Sequence, residues 1–198
     1  MTDHPILMSA PMVRAILAGT KTQTRRAIKP QPESRPGMGC TRLVFKNRKG
    51  APLLEEALEA PGPLLRNALC PYGSPGERLW LRETWAPLTK GYAYRADPCW
   101  NASPDGRWRS SIHMPRAASR ITLEITEVRV QRLQDISEAD AVAEGIVPTH
   151  DGYGLPDGSH FHAADPRICY WSLWDSINGQ GSTESNPWVW AVSFRRVP

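Results

Sequence analysis

The chain has few groups to crosslink it and no long apolar run. Its four cysteines, Cys40, Cys70, Cys99 and Cys169, lie far apart with no C-x-x-C, which excludes a zinc knuckle and a dithiol redox pair. No apolar stretch approaches the ~18 residues of a membrane span. The opening MTDHPILMSAPM lacks the basic and apolar regions of a secretory signal. The expectation is a cytoplasmic chain with ordinary thiols and no membrane partner. Gly-rich phosphate loops are missing as well: neither G-x-G-x-x-G nor G-x-x-x-x-G-K-[ST] occurs, so a doubly wound nucleotide-binding sheet is not expected. Acidic residues are scarce at the start. Residues 1–50 carry ten Lys or Arg against Asp3 and Glu33, a net of +8, whereas the whole chain is only +4. Such asymmetry points to an anionic partner, nucleic acid first, or to a solvated basic loop.

What is present fits one domain of 198 residues with a Pro-rich basic insertion at about 28–69. Ser9-Ala10-Pro11 and MVRAILA, closed by Gly19, predict a short helix with a serine cap and Met12, Val13, Ile16 and Leu17 on its core face. From Ile28 to Gly76 eight prolines interrupt the chain, leaving little periodicity beyond LVF and a turn at LLEEALEA, and an insertion or a flexible arm is expected. RLWLRETW reads as a buried strand with YAYRA as its partner.

Arg120 to Leu133 is the clearest strand. Ile121, Leu123 and Ile125 alternate with polar residues, then the apolar parity flips to Val128 and Val130, which requires an extra residue near Thr126-Glu127. Ser137 starts a helix that runs to Glu144 and stops at Gly145. Residues 147–163 form a loop. Asp165-Pro166 caps a helix with Ile168, Trp171 and Leu173 or Trp174 as its core stripe, and the last strand sets Trp188, Trp190, Val192 and Phe194 on one face. The fold class is α+β, a small mixed β-barrel with short flanking helices, since bends of this kind occur where a sheet curls.

The densest chemical segment is Gly19-Thr20-Lys21-Thr22-Gln23-Thr24-Arg25-Arg26, directly after a helix end. It reads either as an anion site or as a polar connection. Most of the eight tryptophans, including Trp80, Trp188, Trp190, Trp171 and Trp174, belong to the core; Trp85, Trp100 and Trp108 lie near loops, where a base can stack. His160-x-His162 lacks a third ligand at a recognisable spacing and reads as a loop pair, so neither a metal nor a cofactor is expected.

Gly19-x-Lys21-x-x-Thr24-x-Arg26 resembles the G-x-K-x-x-T-x-R motif of ASCH domains, which are related in fold to PUA RNA-binding domains. ILMSAPMVRAILAG, CPYGSPGERLWLRETW, SIHMPRAASRITLEIT, the A-x-x-E-G of Ala141 to Gly145, and NPWVWAVSF are likewise similar to the longer ASCH proteins of phages and prophages. These blocks span most of the chain outside 28–69 and 147–163. The resemblance implies a PUA-like barrel and a cleft for RNA, a nucleotide or a nucleoside. A short bacterial member of the family removes the acetyl group of N4-acetylcytidine with a Lys and a Thr of the motif and a downstream Glu. Lys21 and Thr24 match the first two, and Glu144 is the best match for the third, with Glu83 in reserve. Gly19, Arg25, Arg26, Glu83 and Trp85 are the candidate substrate-binding residues.

Amide hydrolysis needs a nucleophile, a group to handle its proton and a donor for the oxyanion. Thr24 serves as nucleophile if Lys21 is partly neutral, which requires its pKa to fall from ~10.4 towards ~7 to 8. Arg25 and Arg26 push it down and Glu144 pushes it up. Two assignments remain: Lys21 as base with Glu144 aiding the leaving amine, or charged Lys21 as electrophile with Glu144 activating Thr24 or water. Lys21 and Thr24, three apart, share a face only across a turn or bulge. The expected function is an amidohydrolase acting on an acylated nucleobase or nucleoside. The alternatives are a non-catalytic RNA-binding module, in which Lys21, Arg25 and Arg26 hold phosphates, and a ribonuclease, for which no His pair or metal spacing is evident. The substrate is the one partner these readings name.

Overall fold

The computed structural model describes residues 3–36, 41–47, 49–57, 69–99, 103–104 and 106–197. In chain order it contains β1 (Asp3–Leu7), α1 (Ala10–Leu17), β2 (Gln23–Ala27), β3 (Glu33–Pro36), β4 (Thr41–Lys46), β5 (Pro52–Ala57), β6 (Arg78–Arg82), β7 (Trp85–Pro87), β8 (Tyr92–Tyr94) and β9 (Thr122–Arg132). After these come α2 (Glu138–Ala143), β10 (Val147–Thr149), β11 (Gly152–Gly154), α3 (Pro166–Asn178) and β12 (Trp188–Val197). The main sheet has the order β1-β6-β9-β12-β2; β1 runs parallel to β6 and every other pair is antiparallel.

The architecture is α+β, mostly strands with few short helices. Among the described residues the ladder does not close into a barrel: β1 and β2 are its two edges. A side chain spans the gap instead. Arg26 on β2 donates from Nη2 to the carbonyl of Leu7 at 2.8 Å, at the end of β1. No helix among the described residues is long and apolar enough to cross a membrane.

The parity flip in β9 has the expected cause. Ser193 faces Glu127 and Phe194 faces Ile125, so Thr126 is the extra residue of a bulge, and Thr126 and Glu127 are both exposed between buried Ile125 and Val128. β12 keeps its own parity. Trp188, Trp190, Val192 and Phe194 enter the main core with Leu79, Leu81, Leu123 and Ile125, while Val189 faces a second cluster with Ile136, Ala141, Tyr170 and Trp174. The sheet is therefore apolar on both faces, with α2 and α3 covering the second.

Several expectations need correction. Part of the insertion is a docked antiparallel meander, β3-β4-β5, not a loose arm. Leu43 and Phe45 join the main core, and the Phe45 ring stacks on Trp190 with centroids 5.9 Å apart. Prolines punctuate these strands at their ends: Pro36 closes β3 and Pro52 opens β5. Leu53 to Ala57 of the LLEEALEA turn are strand; residues 58–68 lie outside the described residues, as does Trp100.

On α3 the buried stripe is Pro166, Cys169, Tyr170 and Trp174; of the expected stripe Trp174 is buried and Trp171 partly so, while Ile168 is exposed. On α1 Ser9 occupies the cap position without a side-chain cap bond, and Leu17 is exposed. Trp80 is not core. It lies half-buried opposite Leu79 and Leu81, with the guanidiniums of Arg82 and Arg116 over its ring at 5.3 and 5.8 Å. RLWLRETW is split into β6 and the start of β7, and YAYRA pairs with its far end: Trp85 faces Tyr94, and Arg95 N–H donates to the Thr84 carbonyl at 3.0 Å.

Candidate active site

Two glycines shape the site. Gly19 (φ +77°) ends α1 and turns the chain so that Thr20 and Lys21 both donate to the Ala15 carbonyl. Gly145 (φ +104°) ends α2. Positive φ is the conformation glycine adopts without a Cβ penalty. The two ends are tied together by Thr22 N–H donating to the Ala143 carbonyl at 2.8 Å. Lys21 therefore precedes β2 on a turn, not on straight strand.

Its ammonium reaches the C-terminal end of α2. Nζ donates to the Glu144 carboxylate at 2.7 Å and to the Glu144 carbonyl at 2.8 Å, with Lys21 2% and Glu144 4% exposed. A helix C-terminus favours a cation and disfavours a carboxylate, so Glu144 is held there by the cations around it. Arg25 supplies the second. Its side chain is fully buried, Nη1 donates to Glu144 Oε1 at 3.2 Å and Nη2 to Asp140 Oδ2 at 2.8 Å. Asp140 also accepts from Arg129 at 2.9 Å and Gln23 at 3.2 Å. Burial alone would raise its pKa; Arg129 and Arg25 bring it below the usual aspartate range.

Burial dominates at Lys21 and lowers its pKa, with Arg26 and Arg25 adding to the effect, while Glu144 opposes it. Tyr170 on α3 lies against the same carboxylate. Its hydroxyl is pushed well above its ordinary pKa, first by burial and then by the Glu144 charge, and the Arg25 guanidinium sits 5.8 Å from its ring centroid.

Strand alternation divides the motif. Gln23 and Arg25 face α2, whereas Arg26 bridges to β1 and donates from Nη1 to Thr24 Oγ1 at 3.0 Å. Thr24 is wholly buried. Of the three residues expected to share the chemistry, Lys21 and Glu144 meet directly; Thr24 is bonded to Arg26 instead.

Two cavities meet at this cluster. The larger, about 470 Å³, opens between the facing ends of β1 and β2 and α3, lined by Met8, Arg25, Arg26, Glu144, Tyr170 and Trp174 among others. The smaller, about 200 Å³, lies between α1, the 155–160 loop and α3, with Lys21 and Glu144 in its wall. Ser9, Met12, Glu144, Leu173 and Ile177 line both. Arg25 Nε and Trp174 Nε1 are buried donors without a partner among the described residues.

The other expected residues go elsewhere. Glu83 is 1% exposed and accepts both arms of Arg120 at 2.9 and 3.1 Å, and Arg120 also pairs with Asp97 and lies 3.9 Å from the Tyr94 centroid. Burial raises the Glu83 pKa and Arg120 opposes it. Trp85 is buried in a small cluster with Met114, Ala118 and Tyr94. Neither lines the cavities; Thr84 between them does. Gly19 acts through its backbone. His160 bonds Ser172 at 2.8 Å, His162 accepts from the N–H of Asp165 at 3.0 Å, and no cluster of three or more metal-binding side chains occurs among the described residues.

Asp140, Tyr170 and Trp174 are the site residues that sequence reasoning missed. Asp140 reads as a helix-start acid and Trp174 as core, and Tyr170 carries no signal of its own. The usable signal is chemical: a buried tyrosine hydroxyl or indole N–H seeks a polar partner. Set against known protein families, curated proteins and solved structures, the chain matches none of them.

Proposed function

We propose that the chain is an ASCH-type amidohydrolase, with a PUA-like arrangement of its curled sheet, that removes the acyl group from a modified nucleobase or nucleoside such as N4-acetylcytidine. One observation carries the reading: a buried lysine with a lowered pKa, hydrogen-bonded to a buried glutamate in the wall of two joined cavities. Perturbed, paired groups at a cavity are what general acid–base chemistry requires.

The direction of the Lys21 shift favours the base assignment. Neutral Lys21 accepts a proton from water as the water oxygen bonds to the acyl carbon. It then returns that proton to the amine nitrogen as the C–N bond breaks, giving a carboxylic acid and the free base. Glu144 orients Nζ, Arg25 holds the Glu144 carboxylate in place, and Trp174 Nε1 and Tyr170 are donors at the larger cavity. Water is the nucleophile in this account, because the Thr24 hydroxyl is bonded to Arg26 and lines neither cavity.

RNA phosphate binding by the motif is less well supported. Lys21 and Arg25 are 2% and 1% exposed and already paired with carboxylates, so neither offers free charge to a phosphate.

The test is N4-acetylcytidine turnover. Lys21→Ala and Glu144→Ala should lose at least about a hundredfold in kcat, the usual worth of a positioned acid–base group. Thr24→Ala should lose much less. Near-normal rates in the first two variants would overturn the reading; a Thr24→Ala loss as large as theirs would restore Thr24 as nucleophile.

A further inference from the structure

The smaller cavity has no task in hydrolysis of an acetyl group. Its walls are mainly apolar: Met12 and Ala15 from α1, Leu155 and Pro156 from the loop, Leu173 and Ile177 from α3. Lys21 and Glu144 stand in its wall, and Asp157, Ser159 and His160 of the loop add polar groups to it. Met12, Glu144, Leu173 and Ile177 continue into the larger cavity, whose aromatic and arginine wall suits a planar, hydrogen-bonding ring. The two spaces therefore lie on either side of the point where an amide bond would be cut.

We infer that the apolar chamber holds the acyl chain of the substrate and is built for a chain longer than acetyl. The inference rests on the amidohydrolase reading and names the acyl class that reading leaves open. At roughly 30 Å³ for each water-sized group, 200 Å³ takes about six such groups. An acetyl methyl leaves most of that volume unfilled, whereas a straight chain of four to six carbons fills it. The lining offers apolar contact to the chain. Burial of each methylene is worth ~0.8 kcal/mol, about fourfold in binding.

The experiment compares N4-acetyl-, N4-butanoyl- and N4-hexanoylcytidine as substrates for the full chain, beside Leu155→Phe and Ala15→Leu, which narrow the chamber. Hexanamide binding, measured by calorimetry, gives a readout independent of turnover. Leu155 is half-buried on the loop, so Leu155→Phe keeps the test meaningful if Ala15→Leu, buried in α1, fails to fold.

The expected result is a kcat/KM about fifteenfold higher for butanoyl than for acetyl, by the methylene estimate above. Leu155→Phe should cut the hexanoyl-to-acetyl ratio at least about tenfold and weaken hexanamide binding in step. Turnover of acetylcytidine with no gain for longer chains, and no hexanamide binding, overturns the chamber and leaves the amidohydrolase reading standing. Hexanamide bound, weakened by Leu155→Phe, with no substrate turned over, supports the chamber and overturns that reading. Neither binding nor turnover overturns both.

Discussion

At the scale of single residues, the site turns on one lysine placed where its charge is disfavoured. Lys21 is buried, and burial outweighs the Glu144 carboxylate, so its folded pKa lies below its ordinary value of 10.5. Between the lowered pKa and 10.5 the unfolded chain binds a proton that the folded chain does not, so stability rises with pH across that window. Lys21→Met should flatten this slope in denaturant melts taken at increasing pH, with Arg25, Arg26 and Glu144 unchanged. An identical slope in the variant would mean that Lys21 titrates as an ordinary lysine. The Lys21–Glu144 pair was accessible from the sequence only through the resemblance of its motif blocks, since 123 positions separate the two. Tyr170 was not legible at all. An aromatic residue at helical spacing looks the same whether it fills a core or presents a hydroxyl to a carboxylate.

At the scale of elements, β2 and α2 are joined by charge more than by apolar contact. Arg25 reaches Glu144 and Asp140 at successive turns of α2, and Arg129 of β9 reaches the same Asp140. Removing Asp140 leaves a wholly buried guanidinium with one carboxylate fewer. Asp140→Ala should therefore destabilise the fold by about 2–3 kcal/mol, at the low end for a broken buried pair because Asp140 retains some exposure. Equilibrium unfolding in urea measures it. A loss below about 0.5 kcal/mol, typical of an exposed pair, would contradict the role given to this network.

Element positions with strict periodicity were readable. The parity flip in β9 identified the bulge at Thr126 because a two-residue period tolerates no other explanation, and the β12 face followed from the same rule. The α3 stripe was readable only in part, at Trp174 and Trp171, because RICYWSLWDSIN is apolar on more than one side. Which side is buried depends on where Glu144 and Arg25 sit, and local sequence carries no record of that.

At the scale of the whole molecule, the open edge between β1 and β2 creates the larger cavity, and the joining of distant segments at α1 and α3 creates the smaller. Neither arrangement is written in local pattern; among the described residues the five strands run in the order β1-β6-β9-β12-β2 without pairing between β1 and β2. The prolines of residues 28–69 misled for a related reason. They interrupt periodicity without preventing β4 from packing Leu43 and Phe45 into the core. Phe45→Ala should cost about 3 kcal/mol, as for a buried aromatic cut to alanine. A melt within about 0.5 kcal/mol of wild type would mean that the meander is not docked.

The most direct test of the central claim is chromatography of N4-acetylcytidine incubated with the purified protein, at low and high ionic strength, beside Lys21→Ala. Hydrolysis of an uncharged nucleoside at a buried Lys–Glu pair predicts cytidine and acetate in equal amounts, little change with salt, and almost no product from the variant. Unchanged substrate in every arm, together with RNA binding that weakens steeply with salt as phosphate contacts do, would contradict it.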